Sequence, residues 1–156
     1  MSTATNDKAF TYEEERGKPM PSRNHSAVQI NLAAEFVRHR EFRVHSELTL
    51  NISGKSYTPD LSVYPRTPLD LRHDVSRCPD PPLLAVEIFS PQQSIQEVMD
   101  KVDTYFSFGV KSCWVVSPSM HSVQILTADG KEIVLNSGTA TDPVTGLTAD
   151  LAAVFS

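Results

Sequence analysis

The most apolar stretch of the chain, residues 83–91, carries a single carboxylate, Glu87, near its middle. Continuous apolar residues bounded by prolines at both ends are typical of a strand that is covered on both faces of a sheet. An ionised carboxylate is costly to bury without a partner. The pattern therefore predicts that Glu87 is either paired or faces a cleft at the sheet edge, where something positive such as a metal ion is bound.

Apolar residues at one-turn spacing predict two main helices. The first covers about residues 22–39, and either Ser22 or Asn24 is placed to cap its start. The second covers about residues 94–108, and Gly109 is well placed to end it. Both helices have one apolar face, so each is expected to pack against a sheet.

Alternating or continuous apolar residues predict the strands of that sheet. The first two form a hairpin that presents Asp60 on its polar face, and the last two form a hairpin around the turn Ala128-Asp129-Gly130. Residues 65–82 contain five prolines, which predicts a long functional loop. We expect a second loop over residues 138–146 and a short docked helix over residues 151–155. The order of elements predicts a mixed α/β fold, with a central mixed sheet flanked by helices and an added C-terminal hairpin. The predicted strands are at about residues 43–52, 57–64, 83–91, 113–116, 122–126 and 132–135.

Composition and charge narrow the classes of protein that fit. A length of 156 residues with 40% hydrophobic residues suits one core, and we expect a flexible tail over residues 1–11 and a single domain over residues 12–156. No signal sequence and no run approaching ~20 apolar residues is visible, so we expect a cytoplasmic protein without membrane association. Cys78 and Cys113 lack zinc-like spacing and are expected to be free thiols. The net charge of −5 argues against non-specific adhesion to nucleic acid but permits a small basic groove.

Three residues form the candidate chemical site. Asp60 and Glu87 are a pair of carboxylates that one mixed sheet is able to bring together, and two carboxylates plus waters are a normal Mg²⁺ site. Lys101 flanks the apolar face of the second helix, one turn before Tyr105. Two carboxylates and a lysine together are able to hold a metal, polarise a phosphoryl oxygen and steady an attacking water.

An ordered set of motifs runs through these residues. The motifs are Ser22-Arg23-Asn24-His25-Ser26, Ser46-Glu47-Leu48, Tyr57-Thr58-Pro59-Asp60-Leu61, Val86-Glu87-Ile88-Phe89-Ser90-Pro91, Asp100-Lys101 with Tyr105, Gly109-Val110 and Trp114-Val115-Val116. The set resembles the Uma family of restriction endonuclease-like proteins, within the PD-(D/E)XK nuclease superfamily. The resemblance spans about residues 12–155, and the ordered set is more specific than any single motif.

The resemblance implies an endonuclease-like fold in which Asp60 and Glu87 are metal ligands. Most of the superfamily carries its lysine two residues after the glutamate, where this chain has Phe89; in the Uma family the lysine comes from the following helix, which implies Lys101. A fourth acidic residue of the family matches Glu15. The secondary candidates for the site are Glu15, His25, Glu47 and Tyr105.

Two functions are consistent with this pattern. The first is a metal-dependent endonuclease that cleaves DNA, with Mg²⁺ or Mn²⁺ held by Asp60, Glu87 and the main-chain carbonyl of Ile88, acting as a homodimer so that two strands are cut. The second is a catalytically inactive module that keeps the nuclease fold for protein association or DNA binding. A purely structural pair between Glu87 and Lys101 is the main alternative for those two residues, and a capping or core-edge role is the alternative for His25.

Overall fold

The computed structural model describes residues 19–156. The predicted tail and the candidate Glu15 lie outside the described residues. The helices are α1 (Arg23–Phe36), α2 (Ile95–Phe108) and α3 (Leu151–Val154), and the strands are β1 (Phe42–Ser46), β2 (Leu50–Ile52), β3 (Lys55–Tyr57), β4 (Leu61–Pro65), β5 (Leu84–Ile88), β6 (Ser112–Ser117), β7 (Ser122–Thr127), β8 (Glu132–Leu135), β9 (Thr139–Thr141) and β10 (Thr148–Asp150).

The central sheet has six strands in the order β1-β4-β5-β6-β7-β8. The pair β5 and β6 is parallel, and the other four pairs are antiparallel. Parallel neighbours need a crossover connection, and α2 is that connection. The predicted fold class is confirmed: a mixed sheet is flanked by helices, and the β7–β8 hairpin lies at one edge.

The two faces of the sheet carry different helices because side chains on a strand alternate in direction. On β5, Val86 and Ile88 join the core cluster that contains α1, whereas Ala85 joins the cluster that contains α2. Glu87 shares the parity of Ala85 and therefore points toward α2. On the α1 face, Trp114 is fully buried, and the Phe36 ring meets it edge-on with ring centroids 5.0 Å apart.

The helix ends follow local signals in the sequence. Ser22 caps α1 by accepting the His25 N–H at 3.2 Å, and Ser94 caps α2 by accepting the Glu97 N–H at 3.1 Å. Gly109 ends α2 with a φ of 114°, a conformation that disfavours any residue with a Cβ. Among residues 19–156, no helix is both long enough and apolar enough to cross a bilayer.

Two expectations about local structure are wrong. The predicted strand 43–52 is broken into β1 and β2, because Glu47 has a φ of 53° and turns the chain; β1 then pairs with β4, and β2 with β3. Residues 138–146 are not only a loop, since β9 lies within them and pairs with β10. The short docked helix expected over residues 151–155 is present as α3, with Leu151 and Val154 buried.

Candidate active site

Asp60 and Glu87 lie side by side on neighbouring strands. The antiparallel register places Leu61 opposite Val86, so the next step along each strand brings Asp60 opposite Glu87. The Asp60 N–H donates to the Val86 carbonyl at 2.9 Å, and Asp60 Oδ2 accepts the Ile88 N–H at 2.7 Å. The structure therefore brings the two predicted carboxylates together at the point where β4 begins and β5 ends.

Both carboxylates are buried, and this differs from the polar, solvent-facing position expected for Asp60. Asp60 is 0% exposed and Glu87 is 2% exposed. Asp60 is covered because it precedes a strand that is covered on both faces: Leu61, Ser62 and Val63 are all buried as well. Burial of two acidic groups at one point requires compensation, since an isolated buried charge is expensive.

Each carboxylate is held by a side chain from a different layer of the fold. His25, from the first turn of α1, places Nε2 3.2 Å from Asp60 Oδ1. Tyr105, from α2 on the other face, donates its hydroxyl to Glu87 Oε1 at 2.5 Å. The pair is thus oriented from both sides of the sheet, as hydrogen-bonded neighbours orient the ligands of metal sites.

The pKa of the Tyr105 hydroxyl reflects its position next to both Glu87 and Asp60. Its pKa is raised well above the usual value by burial, then by the charge of Glu87 and the hydrogen bond to it, and further by the charge of Asp60. Tyr105 therefore remains a protonated donor at neutral pH. The Tyr57 ring packs edge-on against it at a centroid distance of 6.3 Å and helps to enclose it.

The remaining candidates take different positions around this pair. Ile88 presents its N–H to Asp60, and because N–H and C=O of one strand residue point toward the same neighbour, its carbonyl faces the same edge. The Glu47 N–H donates to the Asp60 carbonyl at 3.0 Å, which places the turn after β1 against the site. Lys101 is half-buried on α2, one turn before Tyr105, and it takes part in none of the ion pairs between residues 19–156.

Gln29 is a site neighbour that the sequence did not single out. Its Nε2 donates to the Asp60 carbonyl at 3.0 Å. Gln29 follows His25 by four residues on α1, so both side chains lie on one helix face. The four-residue spacing was the one feature of the sequence that could have indicated Gln29. It becomes informative only when His25 is known to face Asp60.

The oxygen-rich donor set fits a hard divalent cation. Within residues 19–156, no group of three or more His, Cys, Asp or Glu side chains is arranged to hold a metal. Mg²⁺ does not need such a group, because it is commonly bound by one or two carboxylates and keeps several waters. Asp60 and Glu87, with the Ile88 carbonyl beside them, are the residues that would hold it.

Comparison with known proteins points to one family and one fold. The profile of the Uma2 family, described as "Putative restriction endonuclease", matches residues 7–152. The crystal structure of a "putative nuclease belonging to DUF820" from Anabaena variabilis superposes with a TM-score of 0.71 at 24% sequence identity, covering 88% of this chain and 83% of that one. No curated protein matches the chain. The structural likeness establishes a shared nuclease-like fold.

Proposed function

This chain belongs to the Uma2 family, and we propose that it is a metal-dependent endonuclease that hydrolyses phosphodiester bonds of DNA at the Asp60–Glu87 pair. The observation that carries the proposal is the placement of two buried carboxylates on adjacent strands, each bonded to an orienting side chain from a separate helix. A protein that folds around such a pair gains little stability from it. A binding role for a cation explains why the pair is there.

In this proposal the chain's own groups have distinct tasks. Asp60, Glu87 and the Ile88 carbonyl would hold Mg²⁺, with Mn²⁺ as a substitute. The bound ion would supply Lewis-acid polarisation of the phosphoryl oxygen and a more acidic water. Tyr105 and His25 keep one oxygen of each carboxylate in a fixed direction. In this proposal water attacks phosphorus in line with the leaving oxygen.

Cleavage of supercoiled plasmid tests the reaction, and calorimetry tests the ion. Wild-type protein is expected to nick plasmid in Mg²⁺ or Mn²⁺ and to lose all cleavage in EDTA. Glu87→Gln keeps an acceptor for the Tyr105 hydroxyl but removes a charge, so Mg²⁺ affinity is expected to fall about 100-fold or more. Wild type that neither binds Mg²⁺ nor nicks DNA in either ion would refute the proposal.

Lys101 is proposed to position or activate the attacking water, because it is the lysine closest in sequence to the Tyr105–Glu87 contact and Phe89 offers no cation. Lys101→Ala is expected to lower kcat for nicking about 100-fold, the scale of a lost acid–base group, with Mg²⁺ affinity unchanged. Lys111→Ala removes an exposed lysine just beyond α2 and serves as the matched control. Equal rates for the two variants would exclude Lys101 from the reaction.

A second function is favoured by one observation: Phe89, two residues after Glu87 on the same stretch of chain, has no cationic group to offer beside the carboxylates. On this reading the protein is an inactive nuclease fold that binds DNA or a protein partner. The calorimetry separates the two functions, because an inactive module has no need to bind Mg²⁺ at Asp60 and Glu87. Metal binding that Glu87→Gln weakens supports the nuclease.

A further inference from the structure

The structure has a second feature suited to nucleic acid, a cleft between the first turn of α1 and the turn that joins β6 to β7. We propose that this cleft binds a backbone phosphate of the DNA next to the one that is cut. The proposal rests on the proposed function for the identity of the substrate, but its evidence is separate. The cleft has a volume of about 630 Å³ and is lined by Ser22, Arg23, Asn24, His25, Phe89, Pro91, Pro118, Ser119 and His121.

The lining suits an anion. No carboxylate lines the cleft within the described chain, although the protein as a whole carries a net charge of −5. Arg23 is exposed at the rim, and His121 stands on the opposite wall with its ring stacked on Phe155 at an angle of 9°. A locally basic surface in an acidic protein directs a polyanion to one place instead of attracting it everywhere.

The start of α1 adds main-chain donors. The first N–H groups of a helix have no partner within the helix, and the positive end of the helix dipole lies there. The Ser22 side chain accepts the His25 N–H, and within residues 19–156 no hydrogen bond is formed by the N–H groups of Arg23 and Asn24. The first turn has no acidic side chain. An unneutralised helix start of this kind is a preferred position for phosphate.

His25 provides an independent sign that something binds here. Its side chain is only 4% exposed and lines the cleft, yet its Nδ1 has no hydrogen-bond partner within residues 19–156. A buried polar atom without a partner is costly. A water that bridges Nδ1 and a phosphate oxygen satisfies both, because water donates to each of them.

The position of His25 also joins the cleft to the candidate active site. One ring nitrogen lies 3.2 Å from Asp60 Oδ1 while the ring forms part of the cleft wall. Phe89, on the same wall, directly follows Ile88, whose N–H holds Asp60. A strand whose scissile phosphate sits at Asp60 and Glu87 therefore has a neighbouring phosphate within reach of the α1 start.

The test measures binding of a short fluorescein-labelled DNA duplex by anisotropy in EDTA, so that no cleavage contributes. Arg23→Ala is expected to weaken binding roughly tenfold and to reduce the dependence of log K on log salt by about 0.9, the value for one phosphate contact. Arg38→Ala is the matched control: it removes an arginine of the same charge, 75% exposed, just beyond the other end of α1.

Asn24→Asp separates ligand binding from helix stability. A carboxylate in the first turn favours the helix, so thermal stability should stay equal or rise, whereas a phosphate in the cleft is repelled and binding should weaken at least fivefold.

Equal losses for Arg23→Ala and Arg38→Ala, or unchanged binding by Asn24→Asp, would overturn the subsite and leave the nuclease proposal to the cleavage assay. Absence of duplex binding by the wild type would overturn the subsite as well. Conversely, Arg23-dependent binding without cleavage keeps the subsite and removes the nuclease.

Discussion

Asp60→Asn is expected to lower the rate of Mg²⁺-dependent plasmid nicking by about a thousandfold or more, because loss of a metal ligand removes several kcal/mol of charge stabilisation from the transition state. The fold should survive. The Asn carbonyl is able to accept the Ile88 N–H as Asp60 Oδ2 does, and the amide group is able to donate to His25 in its other tautomer. The substitution therefore changes charge with little change of shape.

The measurement compares initial nicking rates of wild type, Asp60→Asn and Asp103→Asn at saturating Mg²⁺. Asp103 is exposed on α2, so its variant makes the same change of charge away from the carboxylate pair and should keep the wild-type rate. Far-ultraviolet circular dichroism confirms that each variant is folded. A folded Asp60→Asn protein that nicks plasmid at the wild-type rate would place the chemistry elsewhere in the molecule.

Local signals in the sequence were sufficient to predict where the two main helices lie. The Ser94 cap, the apolar face and Gly109 are all contained in one short segment, and α2 has the bounds that they predict. The end of α1 was placed three residues too late, since Val37 and the residues after it continue an apolar and basic pattern after the helix has ended at Phe36. Propensity and capping act over one or two turns, so they constrain such elements strongly.

Long-range geometry was harder to obtain from the chain. Glu47 adopts a left-handed backbone conformation although it is not a glycine. The sequence therefore contained no indication of the break between β1 and β2. The burial of Asp60 depends on the strands that flank β4, and alternation along one strand does not reveal that both of its faces are covered. The resemblance to a family placed Asp60 and Glu87 in one site; the hydrogen bond from Tyr105 and the approach of His25 required three-dimensional packing.

Asp142 was overlooked because its role depends on partners distant in sequence. It is 1% exposed and accepts five hydrogen bonds: from the Ser112 hydroxyl, from the Trp114 indole at 3.0 Å, from the Val144 N–H at 3.2 Å, and from the Thr145 N–H and hydroxyl, both at 2.8 Å. The carboxylate therefore ties the loop between β9 and β10 to the middle of the sheet. Ser112 pairs with Leu84, the first residue of β5, whereas Glu87 lies near the last residue of that strand. The bond from Asp142 to Ser112 is therefore distant along β5 from the candidate active site.

Asp142→Ala is expected to lower the free energy of unfolding by about 3–5 kcal/mol, because it removes a buried acceptor of charged hydrogen bonds and leaves the Trp114 indole and two loop N–H groups without a partner. Asp142→Asn keeps one acceptor oxygen and should lose roughly half as much. Urea unfolding followed by fluorescence measures the change, since Trp114 is the only tryptophan of the chain and is 0% exposed.

Asp150→Ala provides the scale against which the Asp142 variant is judged. Asp150 caps α3 by accepting the Ala152 N–H at 3.1 Å from an exposed position, and loss of such a cap costs about 1 kcal/mol. If Asp142→Ala costs no more than Asp150→Ala, the buried network does not hold the loop. If the large loss is found while nicking per folded molecule stays unchanged, the Asp142 network on β6 stabilises the sheet without taking part in the chemistry at Asp60.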